Sequence, residues 1–317
     1  MPTRALLIYN PGAGGRELHA EVQRVIAVLA AKGWDVAWRE TECVDDAATF
    51  AREAIAQDRR TVLVAGGDGT IGRTVDGLVS AKGDGPPPTI GLLPCGTGNV
   101  LARQLGLPLT SIFRPHAMQE AAQIILEGHA RPVDVGRVNG RHFLCWAGVG
   151  LDAQITALVE SQPEMKKRLG QGAFFLAVMP TLRGPLGTRA LVRADGARIS
   201  RRLVLAVVSN IRLYGGYFHL APEACMDDGL LDVCCFQGHT VGTVLHLLWQ
   251  VILGRHTQDR LVTYHKARRI EIRTAYPLPL HADGEPFGTT PATIEVVPRA
   301  INLILPHTLP DGLFCGA

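Results

Sequence analysis

Aromatic residues make up only 6% of this chain, and charged residues only 19%. So few rings argue against a base-stacking platform, and a net charge of +3 is too small for a dedicated nucleic-acid binder. The seven cysteines include no Cys-x-x-Cys pair, so reduced thiols are expected rather than a zinc site or a disulfide framework. Long hydrophobic runs are missing too: the most apolar later stretches, Ala173–Pro180 and Val244–Leu253, fall short of a bilayer span. Met1-Pro-Thr-Arg4 runs straight into Ala5-Leu-Leu-Ile-Tyr9, without the apolar core and cleavage site of a secretory signal. These gaps lead to the expectation of a cytoplasmic protein with no integral membrane segment. Internal repeats, low-complexity tracts and long linkers are also lacking.

What is present is a hydrophobic fraction of 47% over 317 residues, enough for the cores of about two domains. The chain is organised around Val62-Leu-Val-Ala-Gly-Gly-Asp-Gly-Thr70. Thr61 to Ala65 reads as a short buried strand, and Thr70 to Val79 as a helix. Between them, Gly66, Gly67 and Gly69 let the backbone turn sharply and approach a ligand closely. Successive N–H groups in such a turn form a nest for phosphate oxygens, and the helix N-terminus adds partial positive charge. Asp68 places one carboxylate there, suited to magnesium held directly or through water. An Asp-Gly pair alone is an ordinary turn signal, and six others occur in this chain. The information lies in the whole strand–GGDGT–helix string.

Taken in order, Ala5–Tyr9 is a strand, Asn10-Pro-Gly-Ala-Gly-Gly15 a turn-rich loop, and Val22, Val25, Ile26 and Leu29 mark a helix ending near Gly33. The loop is neither a dinucleotide fingerprint nor a Walker A sequence. Asp35–Glu40 is the next strand, with Thr41 at its exit, and Asp45 to Gln57 is helical. Thr89–Leu93 leads into Pro94-Cys-Gly-Thr-Gly-Asn-Val100 and a helix from Leu101. Strand and helix alternate through residue 105, which predicts a parallel sheet covered by helices. Ligands bind at the C-terminal strand ends of such sheets, so Asn10, Gly66–Thr70 and Gly96–Asn99 should converge.

Near residue 130 the texture changes. Pro132–Val138, Asn139-Gly140 and Arg141–Ala147 form a hairpin signal, as do Arg189–Ala194, Asp195-Gly196 and Ala197–Val208. His265–Thr274, Thr293–Val297 and Ile301–Leu305 read as strands, and Glu164–Leu182 and Thr240–Leu253 as helices. The second half is expected to be mostly antiparallel β.

Three ordered strings, Asn10-Pro-Gly-Ala-Gly14, Gly66-Gly-Asp-Gly-Thr70 and Pro94-Cys-Gly-Thr-Gly-Asn99, resemble the diacylglycerol kinase catalytic-domain family, which includes bacterial lipid kinases, sphingosine kinases and ceramide kinases. The likeness continues through Gly148-Val-Gly-Leu-Asp152, Ser209-Asn210, Tyr214-Gly-Gly216, Ala221-Pro-Glu-Ala224, Asp228-Gly-Leu230 and Asp283-Gly-Glu285. It implies a nucleotide-binding α/β domain at 1–130, similar to NAD kinase and phosphofructokinase, with 300–317 returning to it. A β-rich lipid-substrate domain, an antiparallel β-sandwich, would fill 131–299. Asn10, Thr41, Gly66, Gly67, Asp68, Gly69, Thr70, Gly96, Thr97 and Asn99 would contact ATP. Asp283 would be the general base with Glu285 beside it, and Asp68 would serve Mg2+ at the phosphates. Asp228, with the backbone carbonyls of Cys225 and Leu230, would hold a structural magnesium ion.

The residues suit that chemistry: phosphoryl transfer needs held phosphates, neutralised charge and a carboxylate to take the hydroxyl proton. The plain alternative for Asp283 and Glu285 is a hairpin turn with solvated acids, and for Asp228 an exposed Asp-Gly turn. Two departures from the family pattern stand out. Gly72-Arg73 replaces the usual Asn-Glu after GGDGT, and Val100 replaces the usual Asp after the second glycine string. The expected function is an ATP-dependent lipid kinase that meets its substrate at a membrane surface, with no nucleic-acid partner and a homodimer left open. Lys166-Lys-Arg168 beside Ala173–Met179 fits such a surface. The alternatives are a kinase of a soluble substrate such as NAD or fructose 6-phosphate, and a nucleotide-binding regulator with weakened catalysis.

Overall fold

A computed structural model describes residues 3–15, 18–111, 114, 116–161 and 186–315. The chain forms two compact units, Met1–Asp134 with Arg299–Leu313, and Val135–Pro298 with Phe314–Ala317.

In the first unit, β1 (Arg4–Tyr9), α1 (His19–Ala31), β2 (Asp35–Glu40), α2 (Asp46–Ala56), β3 (Thr61–Gly66), α3 (Asp68–Ala81) and β4 (Thr89–Pro94) alternate as the periodicity predicts. The strands lie parallel in the order β2-β1-β3-β4, and Asn302 and Leu303 add a further parallel partner to β4. β1, β3 and β4 are buried almost throughout, as strands covered on both faces must be. Leu7, Tyr9, Leu63 and Leu93 pack with Val22, Val25 and Leu29 of α1 and with Met118, Ala122 and Ile125. The last three belong to α5 (Ala117–Glu127), a helix absent from the predicted elements; a short α4 (Val100–Gln104) precedes it.

The second unit is an antiparallel β-sandwich. One sheet runs β14-β13-β10-β7-β16-β17, from Val262–Ala267, Leu231–Phe236, Leu205–Ser209, Trp146–Gly150, Pro279–Ala282 and Glu285–Thr289. The other joins the first half of β18 (Ala292–Leu305) to β15 (Arg269–Thr274), β8 (Thr188–Ala194) and β9 (Ala197–Leu203). Val149, Ala206, Val208, Leu231, Val233 and Leu280 of the first meet Val192, Leu203, Ile270, Ile272 and Ile294 of the second in one core. β5 (His129–Val138) and β6 (Arg141–Phe143) form the Asn139-Gly140 hairpin, both turn residues having positive φ. α6 (Leu151–Glu160) follows β7, a hairpin of β11 (Leu213–Tyr214) and β12 (Phe218–His219) stands apart, and α7 spans Val241–Ile252.

Several predicted strands are corrected. Arg141–Ala147 is not one strand: β6 ends at Phe143 and Trp146 begins β7, because the intervening N–H groups turn toward Asp283. Ala197–Val208 splits at Val204 into β9 and β10. His265–Thr274 splits at Arg268, where the Asp195 carboxylate takes the N–H groups of Arg268 and Arg269 and the chain passes from one sheet to the other. Thr293–Val297 and Ile301–Leu305 fuse into β18, with Arg299 in the left-handed region. Cys225 and Cys315 are joined in a disulfide, contrary to the expectation of reduced thiols throughout. That bond groups Phe314 and Cys315 with the second unit rather than the first. The expected helix Glu164–Leu182, Lys166-Lys-Arg168 and Ala173–Pro180 lie outside the described residues. Among the described residues, no helix is long and apolar enough to cross a membrane.

Candidate active site

In the first unit, parallel pairing sets the C-terminal ends of β2, β1, β3 and β4 side by side. Thr41, Asn10, the Gly66–Thr70 loop and the Gly96–Asn99 loop therefore share one edge. Thr41 N–H donates to Tyr9 O at 2.9 Å, Asn10 N–H to Ala65 O at 3.0 Å, and Cys95 N–H to Gly66 O at 3.2 Å. Asn10 Oδ1 accepts from Gly12 N–H at 3.0 Å, which tightens the first loop.

The two glycine loops touch through their backbones. A Cβ on Gly96 would lie 2.4 Å from Gly67 Cα, nearer than any side chain tolerates. Across this contact Asp68 Oδ2 accepts from Val100 N–H at 3.0 Å and Oδ1 from Leu101 N–H at 3.2 Å. One carboxylate thereby ties the GGDGT loop to the start of α4. Burial raises the Asp68 pKa above the usual carboxylate range, opposed by those two N–H donors and by the Arg103 guanidinium. Asn99, in the left-handed region, donates from Nδ2 to Gly96 O at 2.7 Å, while its buried Oδ1 has no partner among the described residues. Thr97 is exposed beside it.

These features fit a nucleotide: backbone turns open to phosphate, an unsatisfied acceptor at Asn99 and a carboxylate at Asp68. For magnesium, the described residues offer no cluster of three or more His, Cys, Asp or Glu side chains. Asp68 suits an ion held mainly by phosphates and water rather than by a protein cage. Where the family pattern carries acids, Val100 is buried and apolar, and Arg73 pairs with Asp45 at 2.9 Å.

In the second unit, Asp283 and Gly284 occupy the turn of the β16–β17 hairpin, both at positive φ. The turn is thus the ordinary one, but Asp283 is not solvated. Asp283 is buried, and its carboxylate accepts from Leu144 N–H at 2.8 Å, Cys145 N–H at 2.8 Å and Trp146 N–H at 3.1 Å. Glu285 pairs with Arg141, whose guanidinium also lies over the Phe287 ring at 5.2 Å.

Behind Asp283 lies a buried network that no motif announced. His281 Nε2 and Asp152 Oδ2 are 2.6 Å apart, and Tyr214 donates its hydroxyl to Asp152 Oδ1. Gly284 N–H points at His281 Nδ1 at 3.4 Å, which leaves Nε2–H to donate to Asp152. Burial first, then the Asp152 charge, pushes the Tyr214 hydroxyl well above its ordinary pKa. A Cβ on Gly148 would fall 2.1 Å from both Asp152 Oδ2 and His281 Nε2. The Gly148–Asp152 and Tyr214–Gly216 strings were visible in the sequence; their meeting at His281 was not.

The magnesium expected at Asp228 has a competitor. Asp228 Oδ1 accepts from Leu230 N–H at 3.0 Å, and Lys266 Nζ lies 3.0 Å from Oδ2 and 3.9 Å from Asp232. The ammonium already balances the Asp228 carboxylate, so a magnesium ion there would have to compete with it.

Comparison with known proteins follows the same division. The diacylglycerol kinase catalytic domain matches residues 4–138, and the YegS C-terminal NAD kinase beta sandwich-like domain matches residues 146–305. The chain is 31% identical to the diacylglycerol kinase of Bacillus subtilis (strain 168) over 310 residues, covering 98% of this chain and 99% of that one. It is 28% identical to the diacylglycerol kinase of Staphylococcus carnosus (strain TM300) over 306 residues, 96% of each chain. The crystal structure of a diacylglycerol kinase from Bacillus anthracis str. Sterne superposes with a TM-score of 0.73 at 25% identity, covering 97% of this chain and 98% of that one.

Proposed function

Because this chain belongs to the diacylglycerol kinase catalytic-domain family, a family of kinases, we propose that it is an ATP-dependent lipid kinase that phosphorylates a lipid hydroxyl of the diacylglycerol or sphingosine type. The observation that carries the reading is the likeness over 98% of the chain to a protein named diacylglycerol kinase, spanning both units rather than the nucleotide-type fold alone. In this reading ATP gives its γ-phosphoryl group to the lipid hydroxyl and leaves as ADP, and Mg2+ would offset the negative charge on the phosphates. The loops bearing Asn10, Thr41, Gly66–Thr70 and Gly96–Asn99 hold the nucleotide, and Asp68 positions the metal-bound phosphates.

Asp283 takes the proton of the lipid hydroxyl. Its carboxylate accepts three N–H groups, those of Leu144, Cys145 and Trp146. The same three bonds hold the carboxylate fixed, which is what a positioned base needs. Arg141 balances Glu285 so that two acids can stand at one turn. The enzyme meets its substrate by peripheral contact with the cytoplasmic face of a membrane.

A second reading, a nucleotide-binding regulator of weakened catalysis, is favoured by Val100 and by the Arg73–Asp45 pair where acids are usual. The deciding experiment is turnover of labelled ATP by the purified protein against diacylglycerol, sphingosine, NAD and fructose 6-phosphate. Phosphorylation of a lipid supports the first reading. Phosphorylation of NAD or the sugar alone replaces it with a soluble-substrate kinase, and ATP binding without turnover on any acceptor replaces it with the regulator.

A further inference from the structure

α7 breaks the usual pattern of a surface helix. Thr240 caps it, its side chain accepting from Thr243 N–H at 3.1 Å, and Val244 is buried with Leu151 and Val204 while Leu247 is buried on the same side. The opposite face should be polar. Instead Val241, Leu245, Trp249, Ile252 and Leu253 are 43%, 49%, 58%, 47% and 46% exposed. Spaced at i, i+4, i+8 and i+11, the first four form one stripe along the helix. No Asp, Glu, Lys or Arg occurs between Val241 and Ile252. A continuous apolar stripe of this kind marks a surface made to be covered.

The surroundings identify the cover. Exposed Arg255 follows the C-terminal end of the stripe, and exposed Arg260 lines a groove with Gly242, Thr243 and His246 near the other end. Among the described residues neither arginine has a carboxylate within salt-bridge distance, although Asp259, paired with His246 at 2.6 Å, feels the charge of Arg260. Cations bordering an uncharged apolar stripe that carries a tryptophan match the boundary between lipid headgroups and acyl chains. A second copy would instead bring the exposed arginines of both partners to the same patch. β12 packs against this helix, and Tyr217, between β11 and β12, is 61% exposed. The same hairpin carries Tyr214, which bonds Asp152 next to His281 and so leads to Asp283.

We infer that the exposed face of α7, bordered by Arg255 and Arg260, docks the protein on an anionic lipid bilayer. This rests on the lipid-kinase reading for its purpose, though not for its geometry. The test is flotation of the full-length protein with phosphatidylcholine vesicles, with and without phosphatidylglycerol. The double variants Leu245→Ser/Trp249→Ser and Arg255→Gln/Arg260→Gln are compared with wild type, folding being checked by circular dichroism. Turnover is measured on long-chain diacylglycerol in vesicles and on a water-soluble short-chain diacylglycerol.

The apolar variant should lose about ten-fold or more of its vesicle binding. The arginine variant should lose the preference for anionic vesicles. Both should keep wild-type turnover of the water-soluble substrate. If the apolar variant floats like wild type, the inference is overturned while the kinase reading stands. If wild type floats through α7 yet phosphorylates no lipid, the kinase reading falls and the docking surface stands. A variant that changes only from dimer to monomer in sedimentation, with flotation unchanged, would assign the face to a second copy and overturn the proposal.

Discussion

Replacing Gly96 with alanine probes the contact on which the nucleotide-side geometry depends. The new Cβ would sit 2.4 Å from Gly67 Cα, 3.0 Å from Asn99 Oδ1 and 3.1 Å from Gly67 N. Carbon atoms rest at about 3.5–4.0 Å, so the loops must part by about 1 Å or more. Two of the three neighbours are backbone atoms, so no flexible side-chain end can absorb that shift. Overpacking of this kind costs about 1–3 kcal/mol in stability. The larger effect falls on Asp68, whose bonds to Val100 and Leu101 span the same gap. Displacing a site group by about 1 Å is worth about a hundred-fold in rate. Gly96→Ala should therefore lower the denaturation midpoint modestly, weaken ATP binding in calorimetry and cut turnover about a hundred-fold. Gly242→Ala is the control: its Cβ would meet only Thr240 Oγ1, at 4.0 Å. If Gly96→Ala binds ATP and turns over like wild type, the backbone contact between the loops does not hold the site together.

Asp283→Asn should not be structurally silent. With one oxygen kept on the Cys145 and Trp146 N–H groups, the new NH2 faces Leu144 N–H, a loss of about 1–3 kcal/mol in denaturant unfolding besides about a hundred- to ten-thousand-fold in turnover; normal turnover would leave Asp283 as a loop anchor only. Asp232 has its pKa raised from 3.8 to about 6, chiefly by burial against the pull of Tyr264 and Lys266. Between those values the native state binds more protons than the unfolded chain, so stability falls as pH rises, by about 3 kcal/mol in all. Asp232→Asn removes that slope, and its stability relative to wild type should improve from pH 4 to 7.5 in denaturant titrations; a constant difference refutes the assignment. His281→Ala and Tyr214→Phe, both partners of Asp152, should show a coupling energy of about 0.5–3 kcal/mol in a double-mutant cycle, whereas additivity would dissolve the network. Val100→Asp places a second carboxylate beside Asp68 and should lower the melting temperature without magnesium and recover it with magnesium, unlike wild type; insensitivity to the ion would show that the missing acid is not what separates this site from a magnesium centre.

Local rules carried much of this protein. Buried β-branched runs ending in glycine, and helices with apolar residues on one face, determined the alternation of β1 through α3, because period and punctuation act over a few residues. Asn139-Gly140, Asp195-Gly196 and Asp283-Gly284 determined their turns, since each needs positive φ twice. Tertiary structure decided what lies farther apart. That Asp283 is buried rather than solvated depends on three N–H groups more than a hundred residues earlier in the chain. That Asp228 faces Lys266, that Asp152 meets His281, and that Cys225 meets Cys315 follow from which strands pair and which loops they bring together. The breaks at Leu144, Val204 and Arg268 belong to the same class: propensity favours an unbroken strand, and closing two sheets over one core requires the chain to change sheets. A residue's own sequence neighbours state what its backbone can do; the partner that completes its charge or hydrogen bonds comes from the fold.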